Sequence, residues 1–148
     1  MDNKIPPPIV TLFFGLCIYF SRPYFLEFSS MVLNLLSIIS FVAGVFVFVA
    51  AVSSFKKQKT TVNPILIEKA SSLVVNGIFK YSRNPMYLGM SFILLGLTFK
   101  FNLIGGLLFT SIFMFFITVF QIKPEEAAME KLFDQEWKDY IKNVRRWL

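Results

Sequence analysis

The chain has 148 residues, of which 55% are hydrophobic, 18% aromatic and only 16% charged, more apolar surface than one soluble core of this size can bury. The formal net charge of +6 sits on residues that flank apolar runs rather than on a soluble face interleaved with stacking aromatics, which argues against nucleic acid and for anionic lipid headgroups as the partner. With no histidine and one cysteine, Cys17, the chain has no Ser-His-Asp triad, no His-Cys pair, no disulfide framework and no histidine- or cysteine-rich metal site.

In chain order, Pro6-Pro7-Pro8 introduces a first apolar run, Ile9 to Phe20. Lys4 ahead of it gives a superficial likeness to a signal peptide. The following Ser21-Arg22-Pro23-Tyr24-Phe25 offers no small-residue cleavage site, so the run is read as part of the mature protein. Met31 to Phe55 and Leu103 to Ile122 carry no charge, and at about 1.5 Å per residue each covers roughly the 30 Å of a hydrocarbon core. Met86 to Phe101 is short for a span and holds Lys100 near its end, a residue able to snorkel, like Arg22. Phe99-Lys100-Phe101-Asn102 reads as a tight connection, and Gly89, Gly96, Gly105 and Gly106 allow close backbone approach. The expectation is an all-α membrane protein forming a single domain over 1–148, with about four transmembrane helices.

Between the second and third runs, Lys56 to Pro85 carries Lys56, Lys57, Lys59, Lys69, Lys80 and Arg83 against one acid, Glu68. The positive-inside rule makes this loop cytoplasmic, and with four spans the segment from Lys123 onward joins it on the same face. That last segment reads as a C-terminal amphipathic interfacial helix. Pro124 suits a first helical position, Glu125 and Glu126 suit a first turn, and Met129, Phe133, Trp137, Tyr140 and Val144 recur at helical spacing.

Asn84 and Pro85 read as N-cap and first residue of the third helix, so its free N–H groups and positive end point at the loop beside Arg83, an arrangement suited to a carboxylate or phosphate. A capped membrane helix with a snorkelling arginine has the same sequence. Glu125 and Glu126 are equally at home as helix-dipole acids or as partners for an ammonium group, and Arg145 and Arg146 as dipole complements or anion contacts.

The run Leu73-Val74, then Gly77, Phe79, Tyr81-Ser82-Arg83-Asn84-Pro85, Tyr87 and Gly89, resembles the core motif of the isoprenylcysteine carboxyl methyltransferase and phospholipid methyltransferase superfamily. Glu125-Glu126, Met129, Phe133, Trp137, Tyr140, Val144 and Arg146-Trp147-Leu148 resemble its C-terminal pattern, and Thr61 and Pro64 its prokaryotic branch. The resemblance runs from about Lys56 to the end, whereas the first two helices carry no recognised motif. Two ordered motifs separated by two helices are far more specific than either alone. Asn84 stands where many members have histidine and cannot carry a proton as histidine does, and Arg145 replaces a common proline.

The resemblance implies an S-adenosyl-L-methionine-dependent methyltransferase with its cofactor half at about 56–148 and its site on the cytoplasmic face of the cell membrane. It assigns Gly77, Tyr81, Arg83, Asn84, Pro85, Tyr87, Gly89, Glu126 and Arg146 to the cofactor, and Glu125, Glu126 and Arg83 to catalysis. Of the two glutamates, Glu126 is expected to meet the cofactor's ammonium group and Glu125 to hold the loop carrying Arg83. The partners are then the bilayer and a lipophilic substrate: a prenylcysteine carboxylate, a phospholipid amine or a small thiol. The other readings are a small membrane transporter, a non-catalytic scaffold and a nicotinamide-dependent reductase on a similar bundle. The transporter is disfavoured by the lack of Asp or Glu in the four runs.

Overall fold

Proline and glycine set the boundaries of the helices in the computed structural model, which describes residues 5–57 and 72–148. Helix α1 spans Pro7–Phe20, with proline at its first position, where a missing N–H costs nothing. A 3-10 turn at Arg22–Tyr24 leads towards α2, Met31–Lys57. After a second 3-10 turn at Gly77–Lys80, α3 runs Pro85–Phe101 and α4 Leu103–Ile117. A π-helical turn at Thr118–Ile122 joins α4 to α5, Lys123–Asn143. Every regular element among the described residues is helical. Lys59, Thr61, Pro64, Glu68 and Lys69 lie outside them.

Two helical stretches, Met31–Lys56 and Leu103–Asn143, are long and apolar enough to cross a membrane by length and composition, whereas Pro7–Phe20 and Pro85–Phe101 are shorter apolar helices. Helix α3 packs against α1, α2 and α4, and α2 lies mainly on α3. The α2–α3 contact needs glycine on both sides. A Cβ on Gly44 would sit 2.7 Å from the Gly89 carbonyl oxygen, and one on Gly89 would sit 2.8 Å from the Gly44 carbonyl oxygen. Gly106 meets Thr98 in the same way where α4 crosses α3, and the Thr98 and Thr110 hydroxyls bond there at 3.2 Å. The remaining core is apolar: Val10, Phe14 and Ile18 of α1, Met90 and Leu94 of α3, and Phe113 and Ile117 of α4.

Asn102 is the whole connection between α3 and α4, whereas Phe99, Lys100 and Phe101, expected to belong to that connection, form the last turn of α3. Its side chain accepts from Gly105 N–H at 3.0 Å, capping α4, and donates to Ser21 Oγ at 3.0 Å, tying in the end of α1. Lys100 Nζ donates to Asn34 Oδ1 at 3.1 Å at this same end of the bundle.

The opposite end departs from expectation in one respect. No new helix starts at Pro124, because α4 continues into α5 without a break. Proline cannot donate to the carbonyl four residues back and its ring crowds that carbonyl. The π turn just before it shifts the donors one residue on, with Lys123 N–H bonding Thr118 O, so the chain stays helical past the imide ring. Glu125 and Glu126 therefore project from a continuous helix rather than from a free N-terminus of their own helix. The real break in α5 is at Asp134, in the left-handed region at φ 32°, with its carboxylate held by Lys138 at 2.7 Å.

Candidate functional site

The segment before α3 reverses direction at Gly77, whose φ of +67° favours a residue without a Cβ, and a Cβ there would also meet Ser54 Oγ at 3.1 Å. Phe79 then inserts between α2 and α5. Its ring packs edge-on against Phe55, and its carbonyl accepts from Tyr140 Oη at 2.7 Å. Arg83 N–H donates to Arg145 O at 3.0 Å, and Asn84 Nδ2 donates to Arg146 O at 3.0 Å. Phe79, Arg83 and Asn84 are thus stitched to the last turn of α5 and the extended chain beyond it. Asn84 is the N-cap residue of α3 by position, but its side chain does not cap. With ψ at 54°, away from the extended value usual for a cap, the amide turns to Arg146 instead.

This stitching assembles four ionisable side chains. Glu126 is shared by two guanidinium groups, Arg83 at 3.0 Å and Arg146 at 2.6 Å, with Arg146 Nε adding bonds at 3.1 and 3.2 Å to the two oxygens. Arg83 is largely buried, lies over the Trp137 ring at 5.7 Å and keeps its buried Nε without a partner among the described residues. Glu125 turns to the other side of α5 and accepts from Tyr87 Oη at 2.5 Å. It stands three residues past Ile122, where the apolar stretch ends. Burial pushes its carboxyl up to about 7, the Tyr87 hydrogen bond opposes that, and neighbouring Glu126 adds to it. The Glu126 carboxylate holds Arg146 above its ordinary value.

The contact with the Arg83 segment that was expected of Glu125 is made by Glu126. Glu126, expected to face a ligand, holds the Arg83 segment, whereas Glu125 is bonded to the start of α3. Arg83, Asn84, Tyr87, Glu125, Glu126 and Arg146 come together. Pro85 is fully buried at the first position of α3. Gly77 shapes the turn, Tyr81 is 72% exposed and bonds to nothing in the cluster, and Gly89 is pressed on Gly44 and Phe48 of α2. Trp137 and Tyr140, expected on the stripe of the last helix, prove to brace Arg83 and its loop. Sequence reasoning missed Gln121, which is 3% exposed one turn before Glu125. Its only signal was an amide inside an otherwise apolar run.

This is a helical bundle with an acid–guanidinium cluster at one end, built where a short helix begins and a long one leaves the apolar layer. Residues 32–136 match the family model described as phospholipid methyltransferase, a span running from α2 into α5 and including Arg83, Asn84, Tyr87, Glu125 and Glu126. The chain belongs to that family, within the isoprenylcysteine and phospholipid methyltransferase superfamily. The match reaches back over α2, ahead of the point near Lys56 where the resemblance begins in the sequence, and it stops short of Arg146. No curated protein and no solved structure matches the chain.

Proposed function

We propose that the protein is an S-adenosyl-L-methionine-dependent methyltransferase of the cell membrane, working at the cytoplasmic surface on a lipophilic acceptor. The observation that carries this reading is the cluster at the start of α3, where Arg83 and Arg146 share one carboxylate and Arg83 keeps a buried N–H in reserve. The residues fit the cofactor's polar end. The two guanidinium groups and the uncapped first turn of α3 suit its carboxylate, and Glu126 or Glu125 suits its ammonium group. Bound there, the cofactor would supply an already activated methyl group, so that the protein's share is alignment and exclusion of water.

Glu125 is the candidate proton acceptor. Held up to about 7 and bonded to Tyr87, it is poised to take a proton from an amine or thiol, whereas a carboxylate acceptor needs no base. The short α3 starts at the level where the apolar stretch of α4 ends, a geometry that suits sideways entry of a lipid. Four spans, with α1 and α3 the short ones, bring the Arg83 segment and α5 to one face, as a two-part site requires.

Calorimetry of the purified protein in detergent, titrated with S-adenosylmethionine, tests the reading. Saturable binding that weakens in Arg83→Ala is expected. A folded parent protein that takes up no cofactor removes the methyltransferase reading and returns the cluster to a purely structural role.

A further inference from the structure

The inward face of the α4–α5 helix is a stripe at four-residue spacing. Phe113 and Ile117 are fully buried, Gln121 is 3% exposed, and Glu125 follows one turn on. Polarity rises along it, from ring and alkyl to amide to carboxyl, as the helix leaves the apolar core. Gln121 belongs to the π turn, an irregularity that recurs at functional sites because it re-aims side chains. Only half of its amide is used. Nε2 donates to Ile5 O at 3.0 Å, while the buried Oε1 has no partner among the described residues. A structural tether accounts for the donor half and leaves the acceptor half unexplained, and a buried acceptor left unpaired is destabilising.

We propose that Gln121 is a substrate-positioning residue whose Oε1 accepts a hydrogen bond from an N–H or O–H group of the methyl acceptor docked beside Glu125. This rests on the methyltransferase reading and narrows its acceptor. The Ile5 bond fixes which end of the amide is free, so the free atom is an acceptor. An ionised carboxylate would meet a carbonyl oxygen and the Glu125 carboxyl together, and is disfavoured. A head bearing two or more such hydrogens, as a primary amine or ammonium does, satisfies both, giving one hydrogen to Gln121 and placing another against Glu125. Once every such hydrogen has been replaced by methyl, nothing remains to bond Oε1, which favours release of the product.

The test compares two short-chain phospholipids of equal head charge, one with a primary ammonium group and one with its trimethylated counterpart, binding the full chain in detergent. The parent should prefer the N–H-bearing head by up to about tenfold, the ratio that a single hydrogen bond supports. Gln121→Met, similar in length but without the amide, should lose the preference. Gln121→Glu, which keeps an acceptor oxygen but not the donor to Ile5, should retain it. An indifferent parent, a preference that survives in the methionine variant, or equal loss in both variants overturns the proposal. Titration of the same samples with S-adenosylmethionine keeps the two ideas separate. A parent that discriminates the heads yet binds no cofactor loses the methyl-transfer reading while the Gln121 contact stands.

Discussion

At the scale of single residues, Glu126 and Glu125 are neighbours with opposite work. Glu126 compensates two guanidinium charges, so Glu126→Gln leaves both short of a counter-charge in a partly buried place. Because the cluster retains some solvent contact, the expected loss is about 1–3 kcal/mol, below the 3–5 typical of a fully buried pair, and a thermal melt reads it. Glu125 has no ion pair among the described residues, and its carboxyl is pushed up instead. Its folded pKa of about 7 lies above its ordinary 4.5, so its contribution to stability is full below about pH 4.5 and is lost as pH rises through 7. In the proposed reaction the ionised form is the base. Turnover with an amine acceptor should therefore rise through a midpoint near pH 7. Glu125→Gln should abolish that inflection in the pH–rate profile. An unmoved profile would separate Glu125 from proton transfer. The residue types of this cluster were legible in the sequence, but their pairing was not. Which of two adjacent acids meets Arg83 depends on the rotation of α5, and that rotation is set by the π turn and by Asn84 bonding across to Arg146, neither of which has a local sequence signature.

At the scale of elements, the boundaries followed from local chemistry. Pro85 starts α3, Asn102 separates α3 from α4, and the charge-free runs became α2 and α4, because each rests on one residue's backbone preference or on apolar length. The continuation through Pro124 was not legible, since a proline after a lysine reads as a start unless a wider turn absorbs it. Glycine spacing suggested close packing without saying which helices meet. The structure pairs Gly44 with Gly89, so a residue expected at the cofactor serves the α2–α3 contact. Gly44→Val would drive a side chain into the α3 backbone, where relief requires helices to separate. The expected cost is at least about 1–3 kcal/mol, read as loss of folded protein after extraction. Asn102→Ala removes the cap on α4 and the link to Ser21 together and should cost about 1–2 kcal/mol, without altering cofactor binding at the far end of the bundle.

At the scale of the whole molecule, the proposed site depends on two stretches of chain reaching one side of the membrane. Arg83 and Glu126 pair directly, so Lys80 and Lys138, both exposed, should share a face. In a Cys17→Ala background, single cysteines at those two positions should react with an impermeant reagent from the cytoplasmic side only. Reaction from opposite sides would dismantle the two-part site. The central claim is that this cluster binds S-adenosylmethionine through Arg83, and isothermal titration of the parent and Arg83→Ala in detergent tests it most directly. The account predicts saturable binding by the parent and an affinity lower by roughly tenfold to a hundredfold in a folded variant, since a charge-assisted contact is worth about 1.5–3 kcal/mol. A parent that binds no cofactor, or a variant that binds as tightly as the parent, would contradict it.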